Sequence, residues 1–274
     1  MKWLPVPWIG RVTGGLFLLL VTLTGRTQSP GIAPAIRPGI ATSGDHPSIA
    51  VPPDRPAPTN FRQIFAADYE AATRFLQEHA WMADTLRGYG VNPEEALSVI
   101  FPELLRYNEL EDDLEVGALR VLYIQWGPQY ADFSIGRFQM KPSFALRLER
   151  DCWRTLPTVY TSRLRASLTT VSDSLTEDRR RRIARLTDLS WQLYYLALFF
   201  HYMDERYPPT RWNKREDKVR FYAAAYNSGY WLSERQIHQR MTGRFFATNR
   251  LSRGKYCYGD IAVFYFQHAA PHRG

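Results

Sequence analysis

At 274 residues, 45% apolar and 14% aromatic, the chain has enough core-forming side chains for one or two folded domains, which excludes wholesale disorder. Its formal charge of +8 raises the question of anionic partners, and its two cysteines are too few for a disulfide-stapled miniprotein or a four-thiolate zinc site. Six histidines show no His-Glu-x-x-His or comparable ligand spacing, with His268 and His272 near the end, so neither a metal nor a cofactor is expected.

Lys2 and Arg11 precede an apolar run, Val12 to Thr24, that is shorter than the roughly 20 residues needed to cross a bilayer and has the form of an export signal. Residues 1–25 are read as a signal peptide. An N-terminal membrane anchor is the alternative, because no Ala-x-Ala cleavage site stands out in the following GRTQSPGIAPA. No cysteine follows the run, which argues against a lipoprotein anchor.

Residues 26–59 are rich in Pro, Gly, Ala, Ser and Thr and show no apolar period, so they cannot bury enough surface to offset their chain entropy. A disordered tether is expected there. Lys2, Arg11, Arg26, Arg37 and Arg55 against Asp45 and Asp54 account for +3 of the charge, leaving +5 on residues 60–274, which are read as a single domain.

That domain reads mainly as helices. Asn60 can cap a helix running to about Met82, with Phe61, Ile64, Phe65, Tyr69, Ala72 and Phe75 on one face. Asn92-Pro93-Glu94-Glu95 combines Asn at the N-cap, Pro at the first position and Glu at the third, three separate start signals. The apolar stripe of this second helix runs Ala96, Val99, Ile100 and then Glu103, a carboxylate where a core side chain belongs. Such a group must be paired, have its pKa raised by desolvation, or line a cleft. Arg106 and Arg120 are the partners a purely structural Glu103 would use.

After an acidic stretch (Glu109, Glu111, Asp112, Asp113, Glu115), two β-rich runs, Ala118–Gln125 and Tyr130–Gln139, flank the turn residues Trp126-Gly127-Pro128-Gln129 and predict a hairpin. Pro142 can start another helix. Longer helical patterns cover Thr176 to Tyr207 and Asn213 to Ser228, the latter with Asn213 and Glu216 as a capping pair and Gly229 as its stop. Ser233 with Gln236 begins a further helix and Asp260 caps a last one. The run Arg179–Arg182 reads as a solvated helix face rather than a nucleic-acid site, though its charge suits an anionic cell wall.

Three separated patches carry a family resemblance: Ile100-Phe101-Pro102-Glu103; Gly136-Arg137-Phe138-Gln139-Met140-Lys141-Pro142; and Ala224-Ala225-Tyr226-Asn227-Ser228-Gly229. Their order, over about residues 93 to 230, resembles the soluble lytic transglycosylases, which share the goose-type lysozyme-like fold. The resemblance implies a mainly α (α+β), lysozyme-like domain whose small hairpin sits beside the cleft, exported to the periplasm or cell envelope and acting as a monomer on peptidoglycan. Leu104 stands where the family usually has a substrate-touching Ser, Pro102 and Arg137 also depart, and the gap from Glu103 to Gly136 is longer than is typical.

Cleaving a glycosidic bond needs an acid that is protonated near neutral pH and can return as a base, which a desolvated Glu supplies. In the resembled family a single Glu, here Glu103, does both, and the muramic acid 6-hydroxyl attacks C1 to give a 1,6-anhydro sugar. The resemblance implies that Gln139 holds an N-acetyl group or backbone, that Tyr226 donates its hydroxyl to Glu103, and that Asn227 braces that corner. Phe138, Met140 and Tyr226 would line the substrate path, with Trp126 a further stacking candidate. A hydrolase would add a second carboxylate about 5 to 10 Å away. Asp132 is the candidate, ahead of Glu109 and Asp113, although strand alternation places it on the polar face. A catalytically weak peptidoglycan-binding protein is the third reading, supported by Leu104. Cys152 and Cys257 would close a loop of about 105 residues if bridged, and an exported domain permits but does not require the bond.

Overall fold

The computed structural model describes residues 59–107, 113–168, 174–246 and 255–269, all within the second of two units into which the chain divides, Arg55–Gly274. The signal expected over 1–25 and, apart from Thr59, the tether expected over 26–59 lie outside the described residues, as do Glu109 and His272. Among the described residues the fold is mainly helical with one small antiparallel sheet. In chain order it comprises α1 (Phe61–Glu78), α2 (Trp81–Gly88), α3 (Pro93–Arg106), α4 (Asp113–Trp126), α5 (Pro142–Thr155), α6 (Thr158–Leu168), α7 (Leu175–Thr187) and α8 (Leu189–Arg206). These are followed by α9 (Arg215–Ser228), α10 (Glu234–Met241), β1 (Arg244–Phe246), β2 (Tyr256–Cys257) and α11 (Tyr258–His268).

Local chemistry sets several of the starts. The Asn60 and Asn92 side chains accept from the backbone N–H groups of Gln63 and Glu95, and Ser233 with Gln236 forms a full capping box. α8 is the central element. Nine consecutive residues, Gln192 to Phe200, are buried, as expected of a helix covered on every side, and it packs against α2, α3, α5, α6 and α7. A second group, α3, α9 and α11, packs mutually and carries the end of α3 that concerns function.

Several sequence expectations are corrected. The first of the two predicted strands is instead the body of α4: Tyr123 is fully buried, its hydroxyl accepting from Arg182 Nη1 at 3.0 Å. Arg179 Nη1 donates to the carbonyls of Ile124 and Gln125, satisfying the end of that helix. Residues 131–134 have no regular structure and 136–139 form a turn closed by one antiparallel bridge between Ile135 and Met140. The only sheet among the described residues pairs β1 with β2. The first helix stops at Glu78, and the long pattern over 176–207 breaks at Asp188, whose carboxylate accepts from the Trp191 N–H at 2.9 Å and starts α8. Lys214, not Asn213, precedes α9, and Asp260 lies inside the first turn of α11 rather than at its cap.

The arginine run is only partly solvated. Arg182 turns inward with Arg185 onto Glu149 of α5, which accepts from Arg182 Nε (3.0 Å) and Nη2 (2.8 Å), Arg185 Nη2 (2.8 Å) and the Tyr195 hydroxyl (2.5 Å). Burial pushes this carboxyl up, but Arg182 and Arg185 more than offset that and hold it below the usual carboxylate range. Cys152 and Cys257 are separate, buried free thiols rather than a bridge. Each thiol donates to a different carbonyl, that of Leu198 and that of Met241.

Candidate active site

Glu103 lies in the last turn of α3, one residue after Pro102, and is only 5% exposed. It forms part of a cleft of about 560 Å³ that is also lined by Arg106, Asp132, Gln139, Met140, Lys141, Tyr226, Asn227 and Trp231. The three sequence patches therefore meet in one cavity. Burial pushes the Glu103 carboxyl up to about 7, against the opposing pull of Arg106, a hydrogen bond from Tyr258 and the charge of Lys141. Arg106 Nη1 is 3.6 Å from Oε2, too long for a hydrogen bond, and Oε2 has no hydrogen-bond partner. An acid half-protonated near neutral pH with one oxygen unclaimed is chemically suited to giving and retaking a proton.

Tyr258, at the start of α11, is a residue that sequence reasoning missed. Its hydroxyl carries one proton, for which the Val99 carbonyl at 3.1 Å and the neighbouring Glu103 carboxyl compete. Because donation to Glu103 favours the charged carboxylate, Tyr258→Phe is expected to move the Glu103 titration upward. The alkaline limb of a pH–rate profile should shift to higher pH in the variant, and an unmoved limb would remove Tyr258 from this role.

Residues 135–140 form a turn held from three sides. Ile135 and Met140 exchange backbone hydrogen bonds at 3.0 and 3.1 Å, the Phe138 N–H donates to Gln192 Oε1 of α8 at 2.8 Å, and the Tyr226 hydroxyl of α9 donates to the Phe138 carbonyl at 2.8 Å. Tyr226 thus fixes the turn rather than donating to Glu103, whose hydroxyl neighbour is Tyr258. The Phe138 ring is fully buried and is core rather than a sugar platform. Gln139 sits at φ 50°, and its Nε2 donates to the Gly136 carbonyl at 2.9 Å, leaving Oε1 for a ligand.

Gly136 makes this turn feasible. Its φ is 70°, and an added Cβ would stand 2.1 Å from Gln192 Nε2 and 2.7 Å from the Leu186 carbonyl oxygen. Gly136→Ala is therefore expected to cost about 2–4 kcal/mol, measurable by urea unfolding, and to displace Gln139. A variant of unchanged midpoint would show that the turn yields freely.

Met140 is buried in the cleft wall and Asn227 stands exposed in it. Asp132 also lines the cleft, but both its oxygens are engaged by Ser143, from the backbone N–H at 3.0 Å and the hydroxyl at 2.7 Å. Trp126 is 61% exposed and packs near Tyr130, outside the cleft lining. The tryptophan that does line the cleft is Trp231, two residues beyond the third patch, with Arg147 4.8 Å above its ring. Leu104 is buried and does not line the cleft, so it does not obstruct access.

Among the described residues, no group of three or more His, Cys, Asp or Glu could hold a metal ion, and no helix is long and apolar enough to cross a membrane. No family model, curated protein or solved structure matches this chain, so any activity assigned to it rests on the cleft and on the three patches that meet there.

Proposed function

We propose that the protein is a peptidoglycan lytic transglycosylase: an exported, lysozyme-like domain that acts as a monomer on glycan strands of the cell envelope. Its reaction breaks the MurNAc-β-1,4-GlcNAc bond. Neutral Glu103 gives its proton to the glycosidic oxygen, and the resulting carboxylate takes the proton of the MurNAc 6-hydroxyl as that oxygen attacks C1. The products are a free GlcNAc 4-hydroxyl and a 1,6-anhydroMurNAc end, with Glu103 restored as the acid. No water, metal or cofactor enters this sequence.

The observation that carries this reading is the carboxyl of Glu103, pushed up to about 7 in a cleft that also contains Gln139 and Asn227 from the other two patches. Gln139 Oε1 is suited to accept from an N-acetyl N–H, and Trp231 offers an apolar surface to a sugar face.

A muramidase is the second reading, favoured by the presence of Asp132 in the same cleft. The two hydrogen bonds from Ser143 make it a fixed anchor for the start of α5, which suits a structural role better than activation of water. Incubating the purified chain with peptidoglycan and identifying the muropeptides by mass spectrometry separates the readings. Anhydro ends are expected, reducing ends would show the hydrolase, and intact glycan would leave only a binding protein.

A further inference from the structure

Four charged side chains line the cleft: Glu103, Arg106, Asp132 and Lys141. Asp132 is engaged by Ser143 through both oxygens, and among the described residues Arg106 has no carboxylate nearer than Glu103, at 3.6 Å, its guanidinium otherwise lying 5.6 Å from the Phe246 ring centre. Lys141 is exposed and, among the described residues, has no carboxylate within ion-pair distance. When Glu103 is the neutral acid that bond cleavage requires, Arg106 loses its counter-charge as well. Two cations that have no ionised carboxylate partner among the described residues then flank the place where the bond would break, an arrangement that favours an anionic chain over a neutral one.

We propose that Lys141 and Arg106 form a carboxylate subsite beside Glu103, with Lys141 as the specificity-determining residue that selects strands carrying a free carboxylate on the muramic acid substituent. The identity of the strand rests on the transglycosylase reading. The carboxylate has two sources: the lactyl group of a peptide-free strand, or the stem peptide where that lactyl group is amidated. Lys141 precedes α5 without capping it through its side chain, so its replacement leaves the helix start intact.

The test uses full-length protein carrying Glu103→Gln, so that strands are bound and not consumed, with calorimetric titration of three ligands. These are peptide-free strands, the same strands with the lactyl carboxylate converted to its amide, and peptide-bearing strands. At least one carboxylate-bearing strand is expected to bind about tenfold more tightly than the amide, as befits one charge-assisted hydrogen bond. Preference for the peptide-free strand identifies the lactyl source, and preference for the peptide-bearing strand identifies the stem. Adding Lys141→Gln should abolish the difference and Lys141→Arg should retain it, with circular dichroism confirming the fold. Equal affinity for all three strands, or a preference that survives Lys141→Gln, would overturn the subsite. Product analysis with the wild-type chain is a separate readout: a lack of anhydro ends with the preference intact would sink the transglycosylase reading and leave the subsite standing.

Discussion

Replacing Glu103 by Gln is expected to lower strand cleavage by roughly 10²–10⁴-fold, the usual contribution of a positioned general acid, while making the protein more stable at pH 8. The two effects share one cause. Burial favours the neutral carboxyl, so its folded pKa is about 7 against an ordinary 4.5. Between those values the folded state binds more protons than the unfolded one, and stability falls as pH rises through the window. Above pH 7 the full loss is reached, about 3 kcal/mol at 1.36 kcal/mol per pH unit. Gln carries no charge at any pH and escapes that loss. Urea unfolding of wild type and Glu103→Gln at pH 4 and pH 8 should show curves that differ at pH 8 and converge at pH 4, and parallel curves would mean that Glu103 is hydrated. For catalysis the same titration places an alkaline limb near pH 7 in kcat/KM, and a profile flat from pH 6 to 9 would remove Glu103 as the acid.

Glu149→Gln is expected to be the most damaging substitution to stability, costing about 3–5 kcal/mol. One carboxylate of α5 meets Arg182 and Arg185 of α7 and Tyr195 of α8, and Arg182 continues to Tyr123 of α4. The two arginine side chains are only 7% and 8% exposed. Without the anion they are left as two desolvated cations facing each other. The pH dependence is opposite to that of Glu103. Because the Glu149 carboxyl is held below its ordinary value of 4.5, its contribution is present above about pH 4.5 and is lost as pH falls through the folded pKa. The wild type should therefore be most stable near pH 5, where Glu103 is still mostly neutral and Glu149 is fully ionised. Loss of less than about 1 kcal/mol in the variant, measured by urea unfolding at pH 7, would show that the arginines reach water.

Features written within a few residues of each other were legible in the sequence. The start of α3 follows from Asn92 and Pro93, and the misplaced carboxylate at 103 is visible from the apolar stripe around it. What was lost is what distant partners decide. Ala118–Gln125 has the composition of a strand, but Arg179 caps its carbonyls and Arg182 holds Tyr123 from the far side of a sequence gap of more than fifty residues. Those contacts override β propensity. Likewise, four consecutive arginines look like a solvated face until Glu149 is brought against one of them. In the cleft, Gln139 and Asn227 follow from the family resemblance, which also implies Tyr226 as the hydroxyl neighbour of Glu103, where the structure has Tyr258. Nothing local to Tyr258 marks it; only the packing of α11 on α3 and α9 does.

That packing makes the acidity of Glu103 a property of the whole assembly. The hydroxyl of Tyr258 reaches back to a carbonyl 159 positions earlier, so α11 supplies part of the dry wall that keeps the carboxyl protonated. Any excursion that undocks α11, even with α3 intact, would admit water and return Glu103 to ordinary acidity. Titration of this one side chain would then report on the docking of α11 against α3 and α9.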